Sequence, residues 1–321
     1  MSVAELVVSC GDPQGIGPEV SARAALERAR AHPGECIVLT GIAPQLEALG
    51  AVVARMTLGD TPRSGVRILD VQNSVPEGKG PSVAGGGVAL QTLELALQRV
   101  RNAGGALITA PLAKQNVALH ASGFHGHTEW LAAAVGGEPL MLFSAPGLKL
   151  ALATVHVPLA EVPRLVRAGA VLQALRKLAR GLATSYRITT PSIMVLGLNP
   201  HAGEGGLLGR EELECIGPDI EQARAEGIDA RGPFSADGFF ATERWREAGA
   251  VLALYHDQGL VALKAISFGS AVNVTLGLPI IRTSVDHGCA FDLAGRGVAD
   301  PRSMAAALAE ARALLDFRAA V

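Results

Sequence analysis

The sequence has few cysteines and almost no net charge, and each of these features excludes a class of protein. Only four cysteines are present, with no CxxC pair, so we expect neither a disulfide-stapled domain nor a local thiolate metal site. The net charge of −2 provides no basic surface for nucleic acid. No apolar run, such as residues 248–255, approaches the roughly 20 residues that a membrane-spanning helix needs.

A secretory pattern is also missing from the opening residues, where Asp12 and Glu19 follow a short apolar run at 6–8. We therefore expect a cytoplasmic protein with reduced thiols. Neither a membrane nor a nucleic acid is expected as a partner.

The dinucleotide-binding fingerprint GxGxxG is a further absence. The glycine-rich segment 11–19, GDPQGIGPE, follows an apolar run and misses the pattern because Val20 stands where it needs glycine. The segment 203–209 misses it too. If NAD binds to this chain, it binds by another route.

Apolar residues are plentiful, and they alternate in the manner of an α/β protein. The 321 residues are 49% hydrophobic and 18% charged, which suits one large or two medium α/β domains. Short β-rich runs alternate with helical stretches, a pattern typical of a largely parallel sheet. Strands are predicted at 6–10, 36–40, 106–109, 148–155, 193–198 and 251–255, and helices at 18–31, 87–103, 160–179 and 243–249.

Three histidines follow three of the predicted strands: His156, His201 and His256. Ligand sites of open α/β sheets lie at the carboxyl ends of the strands, so these side chains are candidates for one cleft. Three imidazoles with an open fourth position suit a catalytic divalent metal. A histidine taken alone after a strand is more often a hydrogen-bonded loop residue, and it is the repeated placement of all three that favours a metal.

Two further groups are candidates for binding an anion. His127 and Thr128 lie in GHTE (126–129), which is either an ordinary helix start or an anion site at a helix N-terminus. Lys264, Asn273 and Arg282 are spaced nine residues apart in a largely apolar region. A buried charge is costly, so such residues either recognise a phosphate or carboxylate or form structural ion pairs.

The sequence resembles the 4-hydroxythreonine-4-phosphate dehydrogenase family nearly from end to end. The resemblance is carried by a series of motifs in order. They are GDPQGIGPE (11–19), TAPLAK (109–114), GHTE (126–129), ATVHVPL (153–159), GLNPHAGE (197–204), YHDQG (255–259), LK (263–264), AVN (271–273), GLPIIRTS (277–284) and DHGCAFDLAG (286–295).

The resemblance implies a role for each candidate residue. It makes His156, His201 and His256 the ligands of one divalent metal ion per site, zinc, magnesium or cobalt. The substrate contacts implied are His127, Thr128, Lys264, Asn273, Arg282 and, near the substrate's polar groups, Asp237. Asp257 or Lys264 would accept the proton during catalysis. The residues expected to cradle the adenosine part of NAD are His287, Gly288, Cys289, Ala290, Asp292 and Ala294.

The resemblance also implies a fold and an assembly. The fold expected is α/β, similar to isocitrate and isopropylmalate dehydrogenases, with two α/β/α lobes and a cleft between them. Residues 1–127 and 281–321 would form the lobe with the NAD loop, and 128–280 the lobe with the metal ligands and the dimer interface. The expected homodimer shares each active site, with His156 and His201 from one chain and His256 from its partner.

The reaction implied is the NAD-dependent oxidation of 4-phosphohydroxy-L-threonine, followed by decarboxylation, in vitamin B6 biosynthesis. Three departures from the family pattern leave the substrate open: Cys289 replaces a usual threonine, and Ser235 and Gly238 replace a usual proline and threonine beside Asp237. Related dehydrogenases act on four-carbon sugar-acid phosphates (threonate or erythronate 4-phosphate) or dihydrodiols. A metal-dependent phosphohydrolase and a non-catalytic binding protein are the alternatives from other classes.

Overall fold

The computed structural model describes residues 4–50, 54–78, 80–267 and 269–319. The chain divides into two compact units, Met1–Gly137 with Leu278–Val321, and Glu138–Gly277. Strands β1–β12 and helices α1–α11 are numbered along the whole chain. No helix within the described residues is long and apolar enough to cross a membrane.

The first unit contains a parallel sheet of six strands in the order β3-β4-β2-β1-β5-β12. Its central strands are runs of valine, leucine and isoleucine, because parallel strands are covered on both faces. Leu6, Val7 and Val8 of β1, for example, are completely buried. The strands are β1 (Glu5–Ser9), β2 (Cys36–Gly41), β3 (Ala54–Met56), β4 (Gly65–Asp70), β5 (Ala106–Thr109) and β12 (Ile281–Ser284).

Helices of the first unit pack apolar faces on this sheet. In α3, Leu93, Leu97 and Val100 form the predicted buried stripe, and the Ser82 side chain caps the helix by accepting from the N–H of Gly85. The helices are α1 (Gly17–Ala31), α2 (Ala43–Ala48), α3 (Val83–Ala103), α4 (Lys114–Ala118), α5 (His127–Val135) and α11 (Arg302–Ala319).

The second unit contains a mixed sheet in the order β11-β6-β7-β10-β8-β9. Strands β7, β10, β8 and β9 run parallel, whereas β6 is antiparallel to both β7 and β11. The strands are β6 (Leu140–Ala145), β7 (Leu148–Leu152), β8 (Ile193–Leu196), β9 (Ala230–Phe234), β10 (Ala250–Ala253) and β11 (Val272–Leu276). The helices are α6 (Val162–Arg167), α7 (Ala170–Tyr186), α8 (Gly217–Ala225), α9 (Ala236–Ala241) and α10 (His256–Ser267).

The α/β class and the largely parallel sheet predicted from the sequence are confirmed, with one exception among the described strands: β6 is antiparallel to both of its neighbours, β7 and β11. Strands β6 and β7 are joined by the two residues Pro146 and Gly147, and Gly147 has φ +75°. A connection this short can link only antiparallel neighbours, since a parallel pair needs a crossover of a dozen or more residues.

Two predicted helices also differ from the structure. The helix predicted at 160–179 is two helices, α6 and α7, because Gly169 between them adopts φ +84° and breaks the run. The helix predicted at 243–249 is only a 3₁₀ turn, Arg244–Glu247.

The boundary between the units differs by ten residues from the expected end of the first lobe. Helix α5 lies within the first unit, because its Leu131 is fully buried in that unit's core with Phe124 and Leu278. The first unit therefore extends to Gly137, and it resumes at Leu278 rather than at residue 281.

Candidate functional site

Parallel pairing of β7 with β10 brings two of the candidate metal ligands together. Leu152 and Ala253 are register partners near the ends of these strands. His156 follows β7 by four residues, and His256 begins α10 three residues after β10. Their ring centroids lie 5.6 Å apart, with the ring planes tilted by 44°.

This spacing fits two ligands of one metal ion. Imidazoles bound to a tetrahedral zinc ion at about 2.0–2.1 Å place their ring centroids roughly 5 Å apart. Asp257 supports the same reading, because its Oδ1 lies 2.7 Å from Nδ1 of His256. The carboxylate accepts this hydrogen bond, so Nδ1 carries the proton and Nε2 keeps the lone pair that a metal requires.

His201 does not join the other two histidines. Among the described residues, no three His, Cys, Asp or Glu side chains form a group that could hold a metal ion. The expectation that His156 and His201 act within one chain, with His256 coming from its partner, stays a prediction. His156 and His256 are two candidate ligands whose rings lie close together in one chain.

The loop that carries His201 has an unusual backbone. Residues 201–205 all have positive φ, including the non-glycine residues His201 (φ 52°), Ala202 (51°) and Glu204 (42°). An L-residue in the left-handed helical conformation costs roughly 1–2 kcal/mol. Such strain persists only where the surrounding structure over-determines it, which is common at functional sites.

Asp237 lies on α9 near the His201 loop, and its environment differs from the family pattern. Ser235, where proline is usual, donates its hydroxyl to Oδ1 of Asp237. This hydrogen bond is the largest cause that lowers the pKa of Asp237, followed by the Gly238 N–H, with a smaller contribution from His201. Asp237 is therefore ionised, and one of its carboxylate oxygens already accepts a hydrogen bond from the Ser235 hydroxyl.

Arg282 occupies a buried position in the first unit, on β12 beside β5. Its side chain is buried, and its Nε and Nη2 donate to Oγ1 of Thr109 at 3.1 and 2.8 Å. Burial lowers the pKa of Arg282 to about 10, an effect that the carboxylate of Glu129 partly offsets. The guanidinium therefore stays charged at neutral pH in a desolvated setting, where its attraction for an anion is strong.

His127 begins α5, as the helix-start interpretation of GHTE predicted. Burial lowers its pKa well below the ordinary value, and the charges of Arg282 and Lys114 lower it further. The ring is therefore neutral, and its buried Nε2 has no hydrogen-bond partner within the part of the chain that the structure describes. Thr128 follows in the first turn of this helix, where backbone N–H groups and the helix dipole favour an anion.

Two residues of this candidate anion site were missed from the sequence. Thr109 holds the Arg282 guanidinium, and Lys114 contributes positive charge to His127. Both lie in TAPLAK, which begins with Thr109, the last residue of β5, so their position at a strand end was the signal that could have identified them.

The remaining substrate candidates lie in the second unit. Asn273 lies on β11, opposite Phe143 of β6. Its buried Oδ1 has no hydrogen-bond partner among the described residues, which leaves one acceptor for a ligand. Lys264 is exposed on α10, eight residues after His256, which corresponds to about two helical turns along one face.

The candidate NAD loop, residues 286–299, is anchored on α1 and on the loop before it. The carbonyl of Cys289 accepts from the N–H of Ile16 at 2.9 Å. Ala299 donates its N–H to Oε1 of Glu19 and accepts from Nη1 of Arg23. Within this loop, the buried Nε2 of His287 has no partner among the described residues, and Ala290 has φ +41°. The remaining candidates, Gly288, Asp292 and Ala294, lie in the same irregular segment.

Cysteine labelling tests this packing. Burial raises the pKa of Cys10 and of Cys289 to about 12 and that of Cys36 to about 11. Because the thiolate is the nucleophile, these three should resist iodoacetamide at pH ~8 in the native protein. Burial raises the pKa of Cys215 too, but this thiol is only half-buried, so it should react slowly. Mass spectrometry should find one adduct, and four after unfolding. Labelling of native Cys289 would contradict the packing of its loop.

Known proteins resemble this chain over almost its entire length. Residues 26–311 match the family described as "Pyridoxal phosphate biosynthetic protein PdxA". A 4-hydroxythreonine-4-phosphate dehydrogenase from Aromatoleum aromaticum is 44% identical over 97% of this chain and 96% of its own. One from Azoarcus sp. is 43% identical, with coverage of 98% and 97%.

Solved structures agree with these relatives. The 4-hydroxythreonine-4-phosphate dehydrogenase from Klebsiella pneumoniae superposes with a TM-score of 0.83 at 32% identity, covering 98% of this chain and 99% of its own. A terephthalate 1,2-cis-dihydrodiol dehydrogenase from Burkholderia xenovorans has a TM-score of 0.63 at 28% identity, with coverage of 94% and 95%. The family match and the full-length relatives lead to one conclusion: the chain belongs to the pyridoxal phosphate biosynthetic protein PdxA family.

Proposed function

We propose that this protein oxidises 4-phosphohydroxy-L-threonine with NAD⁺ to 2-amino-3-oxo-4-phosphooxybutanoate, which then loses CO₂ to give 3-amino-2-oxopropyl phosphate. The observation that carries the proposal is the buried guanidinium of Arg282, which, like Lys114, lies near His127 at the start of α5. It occurs in a chain that is 44% identical to a protein named 4-hydroxythreonine-4-phosphate dehydrogenase.

The candidate anion site around Arg282 is suited to the phosphate of the substrate. Arg282 offers a planar fork that matches phosphate oxygens, and Thr109 fixes its orientation. His127 is neutral, so its ring contributes a hydrogen bond rather than a charge. The N–H groups at the start of α5 and the nearby ammonium of Lys114 add further attraction for an anion.

The histidines of the second unit are proposed to hold a divalent metal ion. His156 and His201 of one chain would bind it together with His256 of a partner chain, and an all-imidazole set favours zinc over magnesium. When bound, such an ion supplies Lewis-acid stabilisation of the charge that develops on the substrate hydroxyl. Asp257 keeps the His256 ring in the required tautomer, and Asp257 or Lys264 is the proposed proton acceptor.

NAD⁺ is the proposed hydride acceptor, held by the loop from His287 to Ala294. The fit rests on two observations. The loop is held beside the start of α1 because the carbonyl of Cys289 accepts from the N–H of Ile16, and the buried Nε2 of His287 lacks a partner among the described residues. The oxidised product is a β-keto acid, and it releases CO₂ readily because the carbanion that forms is an enolate.

A homodimer with shared sites is proposed as the working form. Large apolar side chains are exposed next to the proposed metal ligands, which is unusual for surface that faces only water. Val157 and Leu159 follow His156, Val261 follows His256 on α10, and Leu207 and Leu208 follow His201. A cytoplasmic location is also proposed, in keeping with four free cysteines.

A four-carbon sugar-acid phosphate is the second candidate substrate. The observation that favours it is the hydrogen bond from Ser235 to Asp237. If Asp237 pairs with the amino group of 4-phosphohydroxythreonine, this contact weakens that pairing, whereas threonate 4-phosphate carries a hydroxyl there.

A substrate panel tests the proposal. The protein is incubated with NAD⁺ and 4-phosphohydroxythreonine, threonate 4-phosphate, erythronate 4-phosphate or a cis-dihydrodiol, while NADH and free phosphate are both measured. We expect NADH formation to be fastest with 4-phosphohydroxythreonine and to stop after chelation. Phosphate release without NADH would establish a phosphohydrolase, and binding without either product would establish a binding protein.

A further inference from the structure

A buried carboxylate lies at the centre of the loop that carries His201. Glu212 is 5% exposed and begins a short π-helical segment, Glu212–Ile216. Its Oε1 accepts from the backbone N–H groups of Leu198 and Asn199 at 2.8 and 2.7 Å. Its Oε2 accepts from Nδ2 of Asn199 at 2.9 Å. The carboxylate therefore holds the chain at the point where it enters the loop.

The far side of the loop rests on the same carboxylate. Gly203 has φ +77°, and a Cβ atom built on it would lie 2.6 Å from Oε2 of Glu212. A Cβ atom on Gly197 would lie 3.3 Å from Oε1. The chain that enters the loop and the loop itself are therefore both packed against the Glu212 carboxylate. The residue at each close approach, Gly197 or Gly203, is a glycine.

The loop does not contribute a side chain to the apolar core. His201 and Glu204 are exposed, and within residues 200–206 only Gly203 is buried. A left-handed backbone and a buried charge are both costly, so packing alone does not account for them here. The contacts of Glu212 instead fix the backbone conformation of the loop at His201, and with it the direction of the His201 side chain. π-Helical turns are rare and frequently lie at functional sites.

We propose that Glu212 is a positioning residue for metal binding, which acts by holding His201 in its left-handed conformation. The inference rests on the proposed function, because it takes His201 as a metal ligand. Glu212 itself touches neither metal nor substrate. Its contribution is to keep the imidazole pre-oriented, so that the free energy of metal binding is not spent on ordering the loop.

The test measures zinc affinity directly, with Zn²⁺ alone titrated calorimetrically into the metal-free full-length protein. Four proteins are compared with the wild type: Glu212→Gln, His201→Ala, the double variant, and the control Glu214→Gln. Glu214 lies in the same π-helical segment, but it is exposed and pairs with Arg210. Circular dichroism establishes that each variant is folded.

Glu212→Gln should weaken zinc binding about 10- to 100-fold, the usual effect of losing a residue that orients a metal ligand. Both carboxylate oxygens of Glu212 accept hydrogen bonds from N–H groups of Leu198 and Asn199. A glutamine side chain has only one accepting oxygen, so its NH₂ group would face one of these donors. In the His201→Ala background the same substitution should change the affinity less than about 2-fold, because Glu212 acts through His201. Glu214→Gln should bind zinc like the wild type.

Three outcomes would overturn the inference. An unchanged zinc affinity in Glu212→Gln removes it directly. An equal loss in the presence and absence of His201 shows a general structural role. If His201→Ala binds zinc as tightly as the wild type, His201 is not a metal ligand, and the inference fails with that proposed role. If His201→Ala loses zinc affinity and Glu212→Gln does not, only the inference fails and the proposed function stands. If Glu212→Gln does not fold, Glu212→Asp takes its place, and wild-type affinity in that variant overturns the inference.

Discussion

Replacing Arg282 by lysine is expected to reduce kcat/KM for 4-phosphohydroxythreonine about 10- to 150-fold, or roughly 1.5–3 kcal/mol. Two N–H groups of the buried guanidinium contact Thr109, which fixes the plane of the fork. A lysine ammonium cannot keep both contacts and still bind phosphate in a bidentate manner. Burial lowers the pKa of Arg282 only to about 10, but a lysine starts from about 10.4 and would lose part of its charge in the same place.

The dephosphorylated substrate distinguishes recognition from structure. If Arg282 binds the phosphate, Arg282→Lys should lose much activity on 4-phosphohydroxythreonine and little on 4-hydroxythreonine. Arg55→Lys is the matched control, because Arg55 belongs to the same unit and pairs with Glu47 at the surface; it should stay within about 2-fold of the wild type. Equal losses on both substrates, with a lowered melting temperature, would show that Arg282 is structural.

The positions of the candidate metal ligands show how much of the site the sequence could predict. His156 and His256 each follow an apolar strand, and the sequence suggested that such strand ends converge. They do so because β7 and β10 are parallel neighbours, so their carboxyl ends lie at the same edge of the sheet. The order of strands in the sheet is set by long-range packing, which no local pattern records. The sequence therefore predicted a shared edge, but not which histidines are adjacent.

The final position of His201 could not be predicted in the same way. Strand β8 also runs parallel beside β10, so His201 starts from the same edge of the sheet. The five residues with positive φ then turn the chain in a direction that only the loop's own hydrogen bonds determine. Alanine and glutamate rarely adopt this conformation, so no residue preference predicts it.

The candidate anion site around Arg282 was also predicted only in part. An arginine within an apolar strand had to be paired or bound to an anion, and this reasoning identified Arg282. Thr109 was not identified, because a buried threonine at the end of a strand is ordinary in sequence. Only the register of β5 against β12, which pairs Leu107 with Arg282, reveals that the two side chains meet.

Mixed dimers provide the largest expected effect, because they restore activity from two inactive proteins. His156→Ala and His256→Ala should each be inactive, since each lacks one proposed metal ligand. When the two are unfolded and refolded together, about half of the dimers contain one chain of each kind. If His256 comes from the partner, one site of each mixed dimer receives both mutant positions and the other receives none. About a quarter of wild-type activity should therefore return.

The pair His156→Ala and His201→Ala is the matched control, because it separates the ways of dividing the ligands. With His156 and His201 from one chain, both sites of a mixed dimer lack one ligand, and activity should stay at background. If this pair recovers activity and the pair with His256→Ala does not, His201 is the ligand that crosses the interface, in keeping with the 5.6 Å between the rings of His156 and His256 in one chain. Recovery by both pairs means that His156 alone crosses, and recovery by neither means that all three histidines act within one chain. Because the four results are mutually exclusive, the two refolded pairs together assign each histidine to its subunit.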